Sequence, residues 1–282
     1  MKHACLILAH GQADHLQKLI YALDDERNDI YIHWDAKSGD YPAIIAEKAK
    51  LVFISQRVDV RWADFSMVEA EYALFEAAYA SGPYAYYHLI SGVDYPVASQ
   101  DAIHSECERL NGTEFIGFSV PKEGELEWRT QHRFLFPKDF RKAPLWERVL
   151  RAGFCKLQDI TGYRRHDIDI KKGPQWFSCT QEFMAYLLSK KAEVFKLYRR
   201  TFTPDESFVQ TLCWHSPFKE KVADPDDEFG SCRRYIKWID GDLKPVGDED
   251  LEDMTSGKWW FARKFSDGNQ ELIENIKKRN NG

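Results

Sequence analysis

Apolar residues along this chain fall into two alternating patterns. Short unbroken runs are followed by stretches where apolar positions recur every three or four residues. Residues 3–9 (HACLILA) form the first run and read as a strand buried on both faces. Residues 14–23 follow as a helix with Leu16, Leu19, Ile20 and Leu23 on one stripe. Strand, helix and strand are predicted again at 29–34, 41–50 and 51–54. The clearest helix is 64–79, where Phe65, Val68, Tyr72, Phe75 and Tyr79 are spaced 3, 4, 3 and 4 apart before Ser81-Gly82-Pro83 stops it. A strand at 86–90, a turn at 91–96, a helix at 101–110 and a strand at 113–118 complete this half.

Such alternation predicts an α/β domain with a mostly parallel central sheet and helices on both faces. Ligands in open parallel sheets bind at the carboxyl ends of the strands. That places Ala9-His10, Trp34-Asp35, the segment after Ile54 and residues 91–96 along one rim.

Beyond residue 118 the pattern changes. Residues 120–173 are rich in Arg, Lys and Trp, with a helix expected around 143–157 and irregular chain elsewhere. Regular structure resumes with a strand at 175–179, one or two helices over 181–199, and a helix over 204–214 that starts behind Thr203. A strand at 234–239, a helical turn at 248–254, a short strand at 259–261 and a last helix at 269–279 follow. There is no internal repeat and no linker. The whole of 1–282 is therefore taken as one α/β domain, in which 119–282 adds a substrate-facing part to the alternating half 1–118.

Composition narrows the partners. The 282 residues carry 39 Lys and Arg against 45 Asp and Glu, a net charge of −6, which argues against a general nucleic-acid binder. No apolar stretch approaches the roughly 18 residues of a membrane span, and the first run is too short for a secretory core, so a cytoplasmic location is expected. The six cysteines form no CxxC pair and read as reduced, buried thiols. Aromatic residues make up 14% of the chain, a content that serves cores first and can also stack on sugars.

Several familiar chemistries are missing. The chain lacks GxGxxG after its first strand, and it has no phosphate-binding GxxxxGK[ST], no HExxH and no GxSxG. Three DxD pairs occur, Asp167/Asp169, Asp224/Asp226 and Asp240/Asp242. Each has the spacing to share a divalent cation, and each reads by default as solvated turn acids. Thr203-Pro204-Asp205-Glu206-Ser207 has the form of a helix start, with Thr203 able to cap, Pro204 suited to the first turn and two carboxylates near the dipole. Late in the chain, Arg233-Arg234 and Arg263-Lys264 set cations beside apolar residues.

The ordered set LILAH (6–10), IYIHWDAKS (30–38), VRWADFSMVEAEYAL (60–74), YYHLISGVDYPV (86–97), GPQWFSCTQEF (173–183), TPDESFVQTL (203–212), RRYIKW (233–238) and FARKF (261–265) resembles the core-2/I-branching glycosyltransferases, a group that includes the peptide O-xylosyltransferases. The resemblance covers nearly the whole chain, without that family's stem and membrane anchor. It implies a GT-A-like fold and an inverting, metal-independent transfer from a UDP-sugar, GlcNAc or xylose, to a hydroxyl of a glycan. Glu206 matches the general base. Arg234 and Lys264 match the two cations that hold the donor diphosphate in place of a metal, and Ala9, His10 and Asp35 match the nucleotide-facing rim. Trp176 lies in the GxQW segment, and Trp128, Arg129 and Arg133 are candidates for the acceptor side. A lipid-linked or other oligosaccharide acceptor is implied, with peripheral membrane contact, although no amphipathic anchor stands out. The competing readings are a DxD-dependent nucleotide-sugar enzyme of another class and a non-catalytic glycan-binding module.

Overall fold

Residues 1–137, 143–240 and 242–280 are described by a computed structural model. The apolar runs become the sheet. β1 (His3–Ala9) leads through α1 (Ala13–Leu23) to β2 (Asn28–Trp34), then β3 (Lys50–Phe53), α2 (Ser66–Tyr79) and β4 (Tyr86–Ser91). Every residue of β1, β2 and β4 is buried, as unbroken apolar runs require. β5 (Asp94–Pro96), α3 (Gln100–Arg109), α4 (Glu125–Gln131) and α5 (Leu145–Ile160) follow. The chain then returns to the sheet as β6 (Ser178–Thr180), capped into α6 (Gln181–Ser189) and α7 (Lys191–Tyr198).

The main sheet has the order β3-β2-β1-β4-β6, parallel except for β6, which runs antiparallel to β4 with Tyr86 opposite Thr180. This mostly parallel sheet flanked by helices is the arrangement expected of a GT-A-like α/β fold. On one face α2, α6 and α8 (Phe208–Trp214) cover Leu6, Leu8 and Leu89 with Tyr72, Phe75, Phe183 and Phe208. On the other, α1 and α3 cover Ile7, Ile30 and Ile32 with Leu16, Ile20 and Ile103. Each such aliphatic side chain contributes about 2 kcal/mol by leaving water.

The last part of the chain comprises α9 (Glu228–Cys232), β7 (Arg234–Ile236), the hairpin of β8 (Trp238–Ile239) and β9 (Asp242–Leu243), α10 (Leu251–Met254), β10 (Phe261–Arg263) and α11 (Gln270–Asn280). β10 lies between β5 and β7 in a second sheet, antiparallel to β5 and parallel to β7. A third core of Tyr95, Met254, Phe265 and Ile273 seats α11.

Several expected elements differ. Residues 41–49 form no helix. The Asp24 carboxylate accepts the backbone N–H groups of Glu47, Lys48 and Ala49 at 2.8–2.9 Å, a local alternative to helical bonding. Residues 113–118 make only single bridges, Glu114 to Val222 and Phe115 to Ser178. Gly117 lies so close to the Glu228 carbonyl that a Cβ there would collide with it. The helix expected over 204–214 is two pieces, a 3-10 turn at Pro204–Glu206 and α8, separated by the extended φ of −141° at Ser207. Thr203 makes no side-chain cap. The strand expected at 234–239 is split into β7 and β8, and α4 falls where irregular chain was expected.

Candidate active site

The carboxyl ends of β1, β2 and β4 meet as the parallel order dictates. Asp35 N–H donates to the Ala9 carbonyl at 2.9 Å, and Ser38 Oγ donates to the His10 carbonyl at 2.9 Å. Ala9, His10 and Asp35 are therefore brought together at one rim, with His10 exposed. The buried Asp35 carboxylate accepts from Lys37 N–H at 2.8 Å and pairs with Lys37 Nζ at 3.2 Å. Arg57 donates to the Trp34 and Asp35 carbonyls at 2.9 and 2.8 Å and lies over the Tyr41 ring. Sequence reasoning missed Lys37 and Arg57, which add positive charge to this rim. Burial pushes the His33 imidazole down to about 4, so it stays neutral and accepts from Val58 N–H at 2.9 Å.

Glu206 ends the 3-10 turn, with its side chain 37% exposed. Its Oε2 accepts from Arg129 Nη1 at 2.7 Å, and the same nitrogen donates to Thr203 Oγ1 at 2.7 Å. Arg129 Nη2 pairs with Glu125 at 2.7 Å, and Glu125 also pairs with Lys172 at 2.8 Å. Next to Glu206, Asp205 is half-buried, with its Oδ1 enclosed and without a hydrogen-bond partner. Burial, then the charge of Glu206, raises its pKa to about 7. Burial raises the Glu71 carboxyl well above its usual range, with Asp205 adding to the effect, while Gln175 Nε2 donates to Glu71 at 2.6 Å. The result is one carboxylate facing solvent with two more behind it.

The segment Gly173-Pro174-Gln175-Trp176 joins this carboxylate to the cationic end of β10. Gly173 N–H donates to the Glu206 carbonyl at 3.0 Å, and Gln210 holds the Pro174 carbonyl at 2.8 Å. Gly173 is required there, since a Cβ would run into the Gly117 carbonyl. At the other end of the segment, the buried Trp176 ring lies 4.1 Å beneath the Arg263 guanidinium. Arg263 pairs with the buried Asp94 at 3.3 Å, and Lys264 follows on the solvent side. Trp176 is thus a support under a cation, not an open sugar platform.

Arg234 is not brought to this site. It is 1% exposed, donates to the Cys232 and Phe177 carbonyls at 2.7 and 2.9 Å and to Ser178 Oγ at 2.9 Å, and lies over Phe261. The assignment of Arg234 to the donor phosphates is corrected on that ground: its guanidinium serves backbone carbonyls inside the fold. Its neighbour Arg233 donates to Glu106 at 2.8 Å.

Trp128 lies one residue before Arg129, 44% exposed and edge-on to Phe134 and Phe202. Trp62, equally open at 43%, meets Phe202 edge-to-face at 5.7 Å. Phe202, which both rings meet, lies under the Arg129 guanidinium that holds Glu206, and Trp62 was not singled out in the sequence. Arg133 instead lies over the Tyr163 ring, on the side of α5.

The DxD pairs are scattered. Asp167, Asp169 and Asp226 line a cavity of about 910 Å³ beside α4 and Trp214, with Asp169 paired to Lys171. Asp224 accepts from Asp226 N–H in its own turn. Asp242 pairs with Lys244 on the hairpin, and the intervening Gly241 lies outside the described residues. Among the described residues one group has three possible metal ligands in reach of one another, His3, His88 and Cys107. All three are buried, and His3 and His88 hydrogen-bond each other at 3.0 Å. No helix among these residues is long and apolar enough to cross a membrane.

The model of the Core-2/I-Branching enzyme family matches residues 4–259. The chain belongs to that family. A mouse relative, beta-1,3-galactosyl-O-glycosyl-glycoprotein beta-1,6-N-acetylglucosaminyltransferase 4, is 24% identical over 286 residues, covering 92% of this chain and 61% of its own length. Human beta-1,3-galactosyl-O-glycosyl-glycoprotein beta-1,6-N-acetylglucosaminyltransferase 3 is 22% identical, with 89% of this chain and 51% of its own covered. Dog xylosyltransferase 2 is 23% identical over 297 residues, 96% of this chain and 33% of its own. The chain thus spans from a third to about three-fifths of the length of these relatives. In this core-2/I-branching chain the matched stretch includes Glu206 and ends before Lys264.

Proposed function

We propose that the protein transfers a sugar, GlcNAc or xylose, from a UDP-sugar to a hydroxyl of a glycan acceptor with inversion at the anomeric carbon. The observation that carries this reading is the Gly173–Trp176 segment, whose first residue hydrogen-bonds the Glu206 backbone carbonyl and whose last lies under Arg263, the neighbour of the exposed Lys264. Glu206 takes the proton of the attacking hydroxyl, a role worth about 10²–10⁴-fold in rate. Lys264, backed by Arg263, meets the charge that develops on the departing UDP. Losing such a stabilising donor costs about 3–4 kcal/mol of barrier. The Ala9-His10 and Asp35 rim receives the nucleotide, and Trp62 and Trp128 offer their faces to the acceptor sugar.

No metal is assigned to the reaction. The acceptor is an oligosaccharide, free or lipid-linked. Six unpaired, buried thiols support a reducing, cytoplasmic setting.

The test is a panel of UDP-sugars and glycan acceptors with products read by mass spectrometry. Glu206→Gln is expected to abolish transfer while UDP still raises the melting temperature, and EDTA is expected to leave the rate unchanged. Free sugar released without acceptor dependence, or activity that EDTA removes and Mn²⁺ restores, would overturn the reading.

A further inference from the structure

α5 is inside out. Its apolar stripe faces solvent, with Leu145 72%, Trp146 56% and Ile160 74% exposed, and Val149, Leu150 and Leu157 open between them. At 100° per residue these six positions share one arc of the helix, along about 24 Å of its length. The opposite face is polar and buried. Arg151 donates to the Leu135 and Phe136 carbonyls at 3.2 and 3.0 Å. Gln158 accepts from Arg133 N–H at 2.9 Å and donates to its carbonyl at 3.0 Å. These bonds fix the rotation of the helix, so the apolar stripe has no route inward. Contiguous apolar surface of this kind marks an interaction site on a soluble chain.

Charge identifies the occupant. In the sequence, residues 133–165 hold nine Lys and Arg against three Asp and Glu, a local +6 in a chain of net −6. Arg148 and Lys156 are exposed on α5 itself, and Arg133 and Arg164 are exposed nearby. A second copy docking through the same face would bring two such cationic segments together. Trp146 sits edge-to-face with the exposed Phe136 at 5.4 Å, an aromatic pair suited to headgroup depth. An apolar stripe carrying Trp and bordered by Lys and Arg is the chemistry of a helix lying in a membrane interface.

We infer that α5 docks the protein on an anionic bilayer surface, its apolar face entering the headgroup boundary while Arg148 and Lys156 meet lipid phosphates. This inference stands on α5 alone and is independent of the proposed transfer. It does bear on the site. His132–Phe136, which α5 grips, runs directly on from α4, and α4 carries the Arg129 that holds Glu206. The docked face and the candidate base are thus joined by one short stretch of chain.

The experiment is flotation of the full chain with vesicles of phosphatidylcholine containing phosphatidylglycerol, and with vesicles of phosphatidylcholine alone. Binding to the anionic vesicles is expected, weakening as salt rises, with little binding to the neutral ones. Trp146→Ser/Leu150→Glu should lose at least about tenfold in partitioning with an unchanged melting curve. Arg148→Glu/Lys156→Glu, which alters only exposed charges, should abolish the preference for anionic lipid. The inference is overturned if the wild type fails to float at low salt, as it would were an acidic protein its true partner. It is equally overturned if both variants float as well as the wild type. A dimer in light scattering that Leu150→Glu dissolves would assign the face to a second copy instead.

Discussion

Arg129 Nη1 donates to both Thr203 Oγ1 and Glu206 Oε2, each at 2.7 Å, so one nitrogen sets the direction of the candidate base. The rest of the guanidinium is held by Glu125, which makes the fork a fixed part of the site. Arg129→Lys keeps the charge but has a single nitrogen where the fork reaches Glu125 with one nitrogen and Thr203 and Glu206 with another. Transfer is expected to fall about 10²-fold in kcat with UDP affinity unchanged. Thr203→Val, which removes one partner and leaves the Arg129–Glu206 pair, should cost less. Steady-state kinetics with a UDP titration checks both.

Asp205 predicts a pH dependence of stability. Its folded pKa is raised to about 7 by burial and then by Glu206, above the unfolded value of 3.8. An acid with a raised folded pKa holds its proton longer in the folded state. Its favourable contribution is complete below the unfolded value and is lost as pH rises through about 4 to 7. Asp205→Asn should therefore stabilise the protein more at pH 8 than at pH 5. The expected gain at pH 8 is about 1–2 kcal/mol, a few degrees in Tm, and melting curves at the two pH values measure it.

The histidines at the start of the sheet work in the opposite sense. Burial, then the charge of His104, pushes His3 down to about 3. Burial, then Arg27, pushes His104 down to about 4, and burial holds His88 far below its usual range. A base with a lowered folded pKa contributes stability that is complete above the unfolded value of 6.5 and is lost as pH falls toward 4. With three such groups the slope reaches about 4 kcal/mol per pH unit. His104→Gln should make the loss between pH 6.5 and 4 less steep, as urea titrations at several pH values would show.

Arg234 separates a structural role from a donor-binding one. Its removal takes a buried charged donor from the Cys232 carbonyl, and one of two partners from the Phe177 carbonyl and from Ser178 Oγ. Arg234→Met should destabilise the fold by about 3–5 kcal/mol. Arg234→Lys, where the chain still folds, should retain UDP affinity, whereas Lys264→Ala should lower it with little change in Tm. Equal losses of UDP affinity in both would return Arg234 to the donor site.

The alternation of β1, α1, β2, α2 and β4 was legible because unbroken runs and 3,4 spacing leave few alternatives. Residues 41–49 misled because the carboxylate that disrupts them, Asp24, lies far upstream. Glu206 was visible as a carboxylate at a helix start, and the family resemblance gave it the role of base. The Arg129 contact that orients it spans 77 residues, beyond any local pattern. For α5 the sequence indicated a helix around 143–157 but no amphipathic anchor, and it carried no sign of which face turns inward. That was decided by hydrogen bonds between Arg151 and Gln158 and the backbone of residues 133–136. Arg234 and Lys264 looked alike as cations beside apolar chain, and only burial tells them apart.

β6 closes the main sheet beside β4, and β10 supplies the middle strand that β5 needs as a partner. During synthesis the free edge of β4 waits for residues 178–180, and β5 waits until residues 261–263 leave the ribosome. The growing chain therefore carries an unsatisfied strand edge through much of its own translation. A stalled product ending near residue 118 would be a sticky intermediate rather than a working half.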